Sequence, residues 1–149
     1  MSMSGLQRLE VWNRAKDFAL RIYRDVLPLF PPEEKWNLCS QLRRSSLSTS
    51  ANIAEGYRRF YYQENVRFCY TARGSLEETL SHLAFSFEAR YIPDTLFKEL
   101  STEGDETGRM LNGYITYLKR SKQGENEPGS SHAIQEISES YNTEMPEEN

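Results

Sequence analysis

With 149 residues, 38% hydrophobic side chains and a formal charge of -4, the chain is sized for one domain and is lean in core-forming residues for that length. No apolar run approaches the ~18 residues of a membrane span, and Met1 to Gly5 lack the basic-then-apolar order of a signal peptide. A cytoplasmic protein without membrane contact is the expectation. Residues 123–149 hold seven of the 22 acidic residues and no Lys or Arg, with large apolar residues only at Ile134, Ile137, Tyr141 and Met145. Such a segment buries too little surface to offset its chain entropy, so it is expected to be a disordered acidic tail. Without it, residues 1–122 carry 18 basic and 15 acidic side chains, net +3, a mildly basic domain behind an acidic total. Cys39 and Cys69 have no metal-type spacing and are expected as buried, reduced thiols.

From Glu10 to Leu29, Trp12, Ala15, Ala19, Ile22, Val26 and Leu29 recur at steps of three and four, opposite a face with Arg14, Asp17, Arg21 and Arg24. This is an amphipathic helix, closed by Pro28, Pro31 and Pro32. A second helix is expected from Glu33 to Tyr57, with Glu33 and Glu34 at its positive end. Its stripe, Leu38, Leu42, Ser45, Thr49, Asn52 and Gly56, is small and polar where a simple bundle would place leucine. Small side chains let helix backbones approach closely, and Ala51 and Ala54 are expected to add to that packing. Apolar or small residues on a second side of this helix point to a second neighbour, hence oligomerisation.

Arg58 to Gln63 reads as a reversal, followed by a third helix to about Tyr91 with the stripe Val66, Cys69, Arg73, Leu76, Leu80, Leu83 and Phe87. Ser75-Leu76-Glu77-Glu78 has capping-box form, but the stripe keeps phase across Gly74, which favours one continuous helix. Pro93-Asp94 marks another reversal with Asp94 as N-cap. The fourth helix carries Leu100, Gly104, Thr107, Leu111, Tyr114 and Leu118, and Gly104 and Gly108 predict a kink or fraying over Ser101 to Gly108. Four helices with short loops give an all-α fold, an antiparallel up-down-up-down four-helix bundle over residues 1–122.

Arg73 lies on an apolar stripe and needs a partner, because an unpaired buried guanidinium is costly. Side chains lean toward the N-terminus of their own helix, so Arg73 and Glu55 converge across the predicted turn. An Arg73–Glu55 ion pair is expected, with Asn52 as additional or competing partner. The alternative is that Arg73 faces solvent at a bundle edge.

The run Ala51-Asn52-Ile53-Ala54-Glu55-Gly56-Tyr57, with Gln41-Leu42-Arg43-Arg44-Ser45 before it and Ala72-Arg73-Gly74-Ser75-Leu76-Glu77-Glu78 after it, resembles the 23S ribosomal RNA intervening-sequence protein family of four-helix bundles. The similarity spans about residues 9–122 and includes Val11-Trp12 and Arg109-Met110-Leu111-Asn112-Gly113. Asn52, Glu55, Gly56, Arg73 and Ser75 are the positions on which it rests. Thr49-Ser50 departs from the apolar-proline pair usual in the family, which removes a source of kinking. The resemblance implies a homopentamer of undefined cellular role without enzymatic activity. Related accessory proteins of diversity-generating retroelements bind a reverse transcriptase and nucleic acid.

The residues themselves offer little reaction chemistry. A di-metal carboxylate bundle needs Glu-x-x-His pairs, whereas Glu78 and His82 are four apart and His132 lies in the tail. No arginine stands five to seven positions before His82, as an Arg-x(4–6)-His ribonuclease motif requires, and neither cysteine has a histidine in a readable motif. No metal, cofactor or small-molecule substrate is therefore expected. Arg43, Arg44, Arg58, Arg59 and Arg67, with Tyr57, Phe60, Tyr61 and Tyr62, combine cations with stacking faces as single-strand binders do. In a ring such a patch would repeat and act multivalently, and the acidic tail could occupy it. The expectation is a non-enzymatic oligomeric scaffold that binds RNA or DNA, or a nucleic-acid enzyme. The alternative is a purely protein-binding assembly module whose arginines serve the subunit interface.

Overall fold

The computed structural model describes residues 4–126; the disordered-tail expectation falls almost wholly on 127–149, outside the described residues. A short α1 (Ser4–Gln7) precedes four long elements: α2 (Glu10–Arg21), α3 (Leu38–Tyr57), α4 (Tyr62–Glu88) and α5 (Asp94–Ser121). They run up, down, up and down, with α3–α4 the most extensive contact, then α4–α5, α2–α3 and α2–α5. No strand occurs among the described residues.

Where the helices begin and end follows local chemistry. α2 does not stop at Arg21 but passes through a π-helical stretch, Ile22–Val26, and a 3-10 turn, Leu27–Leu29. Pro28 cannot donate a hydrogen bond and its ring crowds the carbonyl four residues back, so the chain widens ahead of it. Ile22 and Val26 stay fully buried through the change. The second bundle helix starts later than its composition suggests: Pro32–Glu34 form a 3-10 turn and α3 begins at Leu38, whose N–H donates to Glu34 Oε2 at 3.2 Å. α3 runs unbroken through Thr49-Ser50, and α4 through Gly74. α4 ends in a Schellman arrangement, with the Tyr91 N–H donating to the Ser86 carbonyl at 2.9 Å and Arg90 left-handed at φ 64. Asp94 is the first residue of α5 rather than its cap; Pro93 holds the capping position.

The expected fraying over Ser101 to Gly108 does not occur: α5 is continuous there. Gly104 is buried, and a Cβ on it would lie 2.4 Å from Leu80 Cδ2. Close helix approach, not fraying, is what this glycine serves.

The α3–α4 seam explains the small polar stripe. The Thr79 hydroxyl donates to the Ser75 carbonyl at 2.8 Å and meets the Ser45 hydroxyl at 2.8 Å. The Ser48 and Ser75 hydroxyls are 2.9 Å apart, and Asn52 Nδ2 donates to the Ser48 carbonyl at 2.8 Å. Ser75 thus bridges two helices instead of capping one. At the turn, a Cβ on Gly56 would come within 2.6 Å of Asn65 Oδ1 and 2.9 Å of Phe68 Cβ. Ala51 and Ala54 do not join this seam: Ala51 is exposed and Ala54 half-buried.

The predicted Arg73–Glu55 ion pair does not form. Glu55 is exposed and accepts from Arg59, four residues on, at 2.6 Å. Arg73 turns to the other neighbour, donating to Asn112 Oδ1 of α5 at 3.2 Å with its guanidinium 5.0 Å from the Tyr70 ring centre. The local i, i+4 pair needs no side chain to cross the seam, and the aromatic ring accommodates the half-buried cation.

The core divides into two clusters along the bundle axis. Val11, Ala15, Ile53, Tyr62, Val66, Leu111 and Leu118 fill the half at the α3–α4 turn; Phe18, Ile22, Leu38, Leu42, Leu83 and Leu100 fill the opposite half.

Candidate nucleic-acid interface

The antiparallel topology sorts the charges between these two halves. Segments 4–15, 48–75 and 109–126, around the first cluster, carry ten basic and four acidic side chains, net +6. Segments 18–47 and 76–108, around the second, carry seven basic and eleven acidic, net -4. Lys16 and Asp17, between the two, pair with each other at 3.5 Å. A net charge of only +2 over residues 4–126 therefore conceals a bipolar molecule.

Arg58, Arg59 and Arg67 are exposed at the basic end, beside Phe60 at 54% exposure. They sit there because α3 ends at Tyr57, four residues turn the chain, and α4 begins at Tyr62. Arg59 lies over the Phe68 ring at 5.1 Å. Arg59, Glu64, Arg67, Phe68 and Thr71 line a cleft of about 260 Å³. A cleft with two guanidinium groups and an aromatic wall suits a phosphate and a stacked base.

Several predicted members of this surface are elsewhere. Tyr62 is buried at 8% exposure, because the first turn of α4 packs it into the core. Tyr61 is half-buried, edge-on to Phe60 and approached by Gly124. Neither tyrosine is a free stacking face. Arg43 and Arg44 are 14 or more residues from Arg58 along α3, about 21 Å at 1.5 Å per residue, and lie in the acidic half. Arg44 is bound there to Glu78 at 2.7 Å and to Gln41 at 2.9 Å. Arg8, Lys119, Arg120 and Lys122 take their place at the basic end. The signal for them was available: in an up-down-up-down bundle the last turn of α5 must return to the α3–α4 turn.

The acidic half has its own fixed network. Arg21 binds both Glu99 and Glu103 across α2 and α5 and Asp25 along its own chain. The Glu99 hydrogen bond holds its pKa above the ordinary value, against desolvation, with Glu103 adding to the effect.

Cys39 and Cys69 are both free and buried. Burial pushes the Cys69 thiol up to about 12, and burial raises Cys39 too, with Arg43 pulling it partly back. Neither is a thiolate near neutrality, so neither has the form that attacks an electrophile. His82 lies 3.4 Å from Glu78, which also holds Arg44. Among the described residues no three His, Cys, Asp or Glu side chains are grouped to hold a metal, and no helix is long and apolar enough to cross a membrane.

These features define a small all-α bundle with a charged surface at one end. The chain belongs to the 23S rRNA-intervening sequence protein family, which it matches over residues 7–113. It is also similar to a crystal structure from Bacteroides thetaiotaomicron of a protein with unknown function from the S23 ribosomal protein family. That likeness has a TM-score of 0.65 and 22% identity and covers 70% of this chain and 97% of that one; at that identity it shows the fold alone. No curated protein matches the chain.

Proposed function

We propose that this chain is a non-enzymatic oligomeric scaffold, a homopentamer as the family resemblance implies, whose basic end holds a polyanion: RNA or DNA, free or carried by an enzyme such as a reverse transcriptase. The observation that carries this reading is the net +6 of the half around the α3–α4 turn. A basic pole attracts phosphate backbones even where the whole chain is acidic. The oligomeric part is supported by Trp36, Leu47 and Phe85, large apolar side chains left 79%, 50% and 63% exposed on the turn before α3, on α3 and on α4. Such residues commonly form subunit contacts.

A second reading, a protein-binding module without nucleic-acid contact, is favoured by Arg44 and Arg59. Both already pair with carboxylates of their own chain.

Light scattering on the purified full chain should give the mass of five copies; a monomer would remove the scaffold argument. Titration with a fluorescent single-stranded RNA at about 50 and 200 mM salt should then show affinity falling at least ~tenfold. Absent or salt-independent binding selects the second reading.

A further inference from the structure

The described residues end at the basic end, and they are fastened there. After Lys122, left-handed at φ 46, residues 123–126 turn back across the start of α4. The Tyr62 N–H donates to the Gln123 carbonyl at 3.0 Å. Gly124, at φ 81, lies so close to Tyr61 that a Cβ would be 2.5 Å from its ring. This strap holds Gly124 beside Tyr61 and Phe60, so the residues that follow start from the α3–α4 turn.

The segment that starts from this strap is opposite in charge. Residues 127–149 contain Glu127, Glu136, Glu139, Glu144, Glu147 and Glu148 and no Lys or Arg, net -6 against the net +6 of the half they start from. Their apolar residues Ile134, Ile137, Tyr141 and Met145 recur at steps of three, four and four, the spacing that gathers side chains on one helix face. Phe60 and Tyr117, 54% and 65% exposed, offer apolar ground among the cations.

We propose that residues 127–149 dock on the basic end of their own bundle, with the glutamates against Arg58, Arg59, Arg67, Lys119 and Arg120. The eight residues from Asn126 to Ile134 can span about 26 Å, enough to cross a half-bundle about 21 Å long. The acidic half repels the segment. A neighbouring copy competes at a disadvantage, because the strap holds the segment at a local concentration of order millimolar beside its own chain. Docking does not depend on the function proposed above. Its consequence does: on the polyanion-binding reading, the segment covers the nucleic-acid surface and acts as a built-in competitor.

Lysines mark both ends, Lys119 at the basic end and Lys35 and Lys98 in the acidic half. A water-soluble carbodiimide joins an ammonium to a carboxylate in direct contact with loss of water. Applied to the full chain, it should join Lys119 to Glu136, Glu139 or Glu144, and leave Lys35 and Lys98 unlinked to these glutamates. Isotopically heavy and light chains refolded together, so that each assembly contains both, should show the links within one chain, and about 0.5 M salt should abolish them. Links made equally to Lys35 or Lys98, links only between heavy and light chains, or no links at low salt would overturn the proposal. A full-length variant with all six glutamates changed to glutamine removes both the coupling carboxylates and the attraction. On the polyanion reading it should also bind the RNA about tenfold more tightly at low salt. Links present in the unsubstituted chain, with RNA affinity unchanged in the variant, would leave docking standing and refute only that reading.

Discussion

The two halves of this bundle are built alike and charged oppositely. Each has a buried aliphatic cluster from all four long helices, and each contains a glycine where two helices draw close. Yet one half holds a surplus of six cations and the other a surplus of four carboxylates. Core packing and surface charge are set by different faces of the same helices, so fold and binding surface can vary independently. Net charge, averaged over a chain, is therefore a poor guide to what one end can bind.

The largest expected contrast between the halves lies in their cysteines. The native Cys69 thiol keeps its proton where the unfolded thiol gives it up. Its contribution is therefore intact below the ordinary thiol value of 9.0 and is lost as pH rises toward about 12. Denaturation of the full chain should lose about 2 to 3 kcal/mol between pH 9 and 11 from this group alone. Cys69→Ala should show a correspondingly flatter profile above pH 9, whatever its stability at neutral pH. Cys39, buried in the acidic half but beside Arg43, should contribute a smaller part of that slope when replaced.

The close-approach glycines come next. At Gly56 a new Cβ meets Phe68 Cβ at 2.9 Å and the Asn65 carbonyl at 3.0 Å, groups that cannot swing aside. Gly56→Ala should cost about 2 kcal/mol despite the gain in helix propensity. At Gly104, in the acidic half, the obstacle is the end of the Leu80 side chain, which can rotate. Gly104→Ala should change stability by less than about 1 kcal/mol. Equal losses in urea unfolding would show that the α4–α5 contact is as rigid as the α3–α4 turn.

Much of this was legible in the sequence, for local reasons. Stripes at steps of three and four located the four helices, and their phase across Gly74 foretold an unbroken α4. What escaped depended on choices between partners or between ends. Arg73 had Asn112 and Tyr70 available on one side and Glu55 on the other, and spacing alone cannot rank them. Tyr62 looked like a stacking face because it follows Phe60 and Tyr61, but one position further along the new helix turns it inward. Gly104 read as a weak point because propensity scales see the backbone and not the Leu80 side chain beside it. Arg43 and Arg44 were grouped with Arg58 by composition, although a rigid helix holds them about 21 Å apart.

That separation supplies a sharper test of the charged surface. Arg58→Gln with Arg67→Gln should weaken RNA binding about tenfold, about 1.4 kcal/mol, and reduce the salt slope. Arg43→Gln with Arg44→Gln, in the acidic half, should change it less than about twofold. If the second pair matters as much as the first, binding follows the whole outer face of α3 and the basic pole is not the site.

The smallest expected effect concerns Glu55, within the motif that most specifically marks the family resemblance. A buried Arg73–Glu55 pair would make Glu55→Ala cost about 3 to 5 kcal/mol. In the structure the Glu55 side chain is 51% exposed and its partner Arg59, just past the end of α3, is 43% exposed. Such a pair is worth about 0.3 to 0.5 kcal/mol, so the single substitution should scarcely move a denaturation midpoint. Its larger influence should be on binding, because removing Glu55 takes one of only four acidic side chains from the basic half. Glu55→Ala should therefore tighten RNA binding slightly while leaving stability nearly unchanged. A stability loss of several kcal/mol would mean that Glu55 is buried in the assembled protein, against another copy rather than against Arg73. That result would move the motif from the surface of one bundle to the interface between bundles.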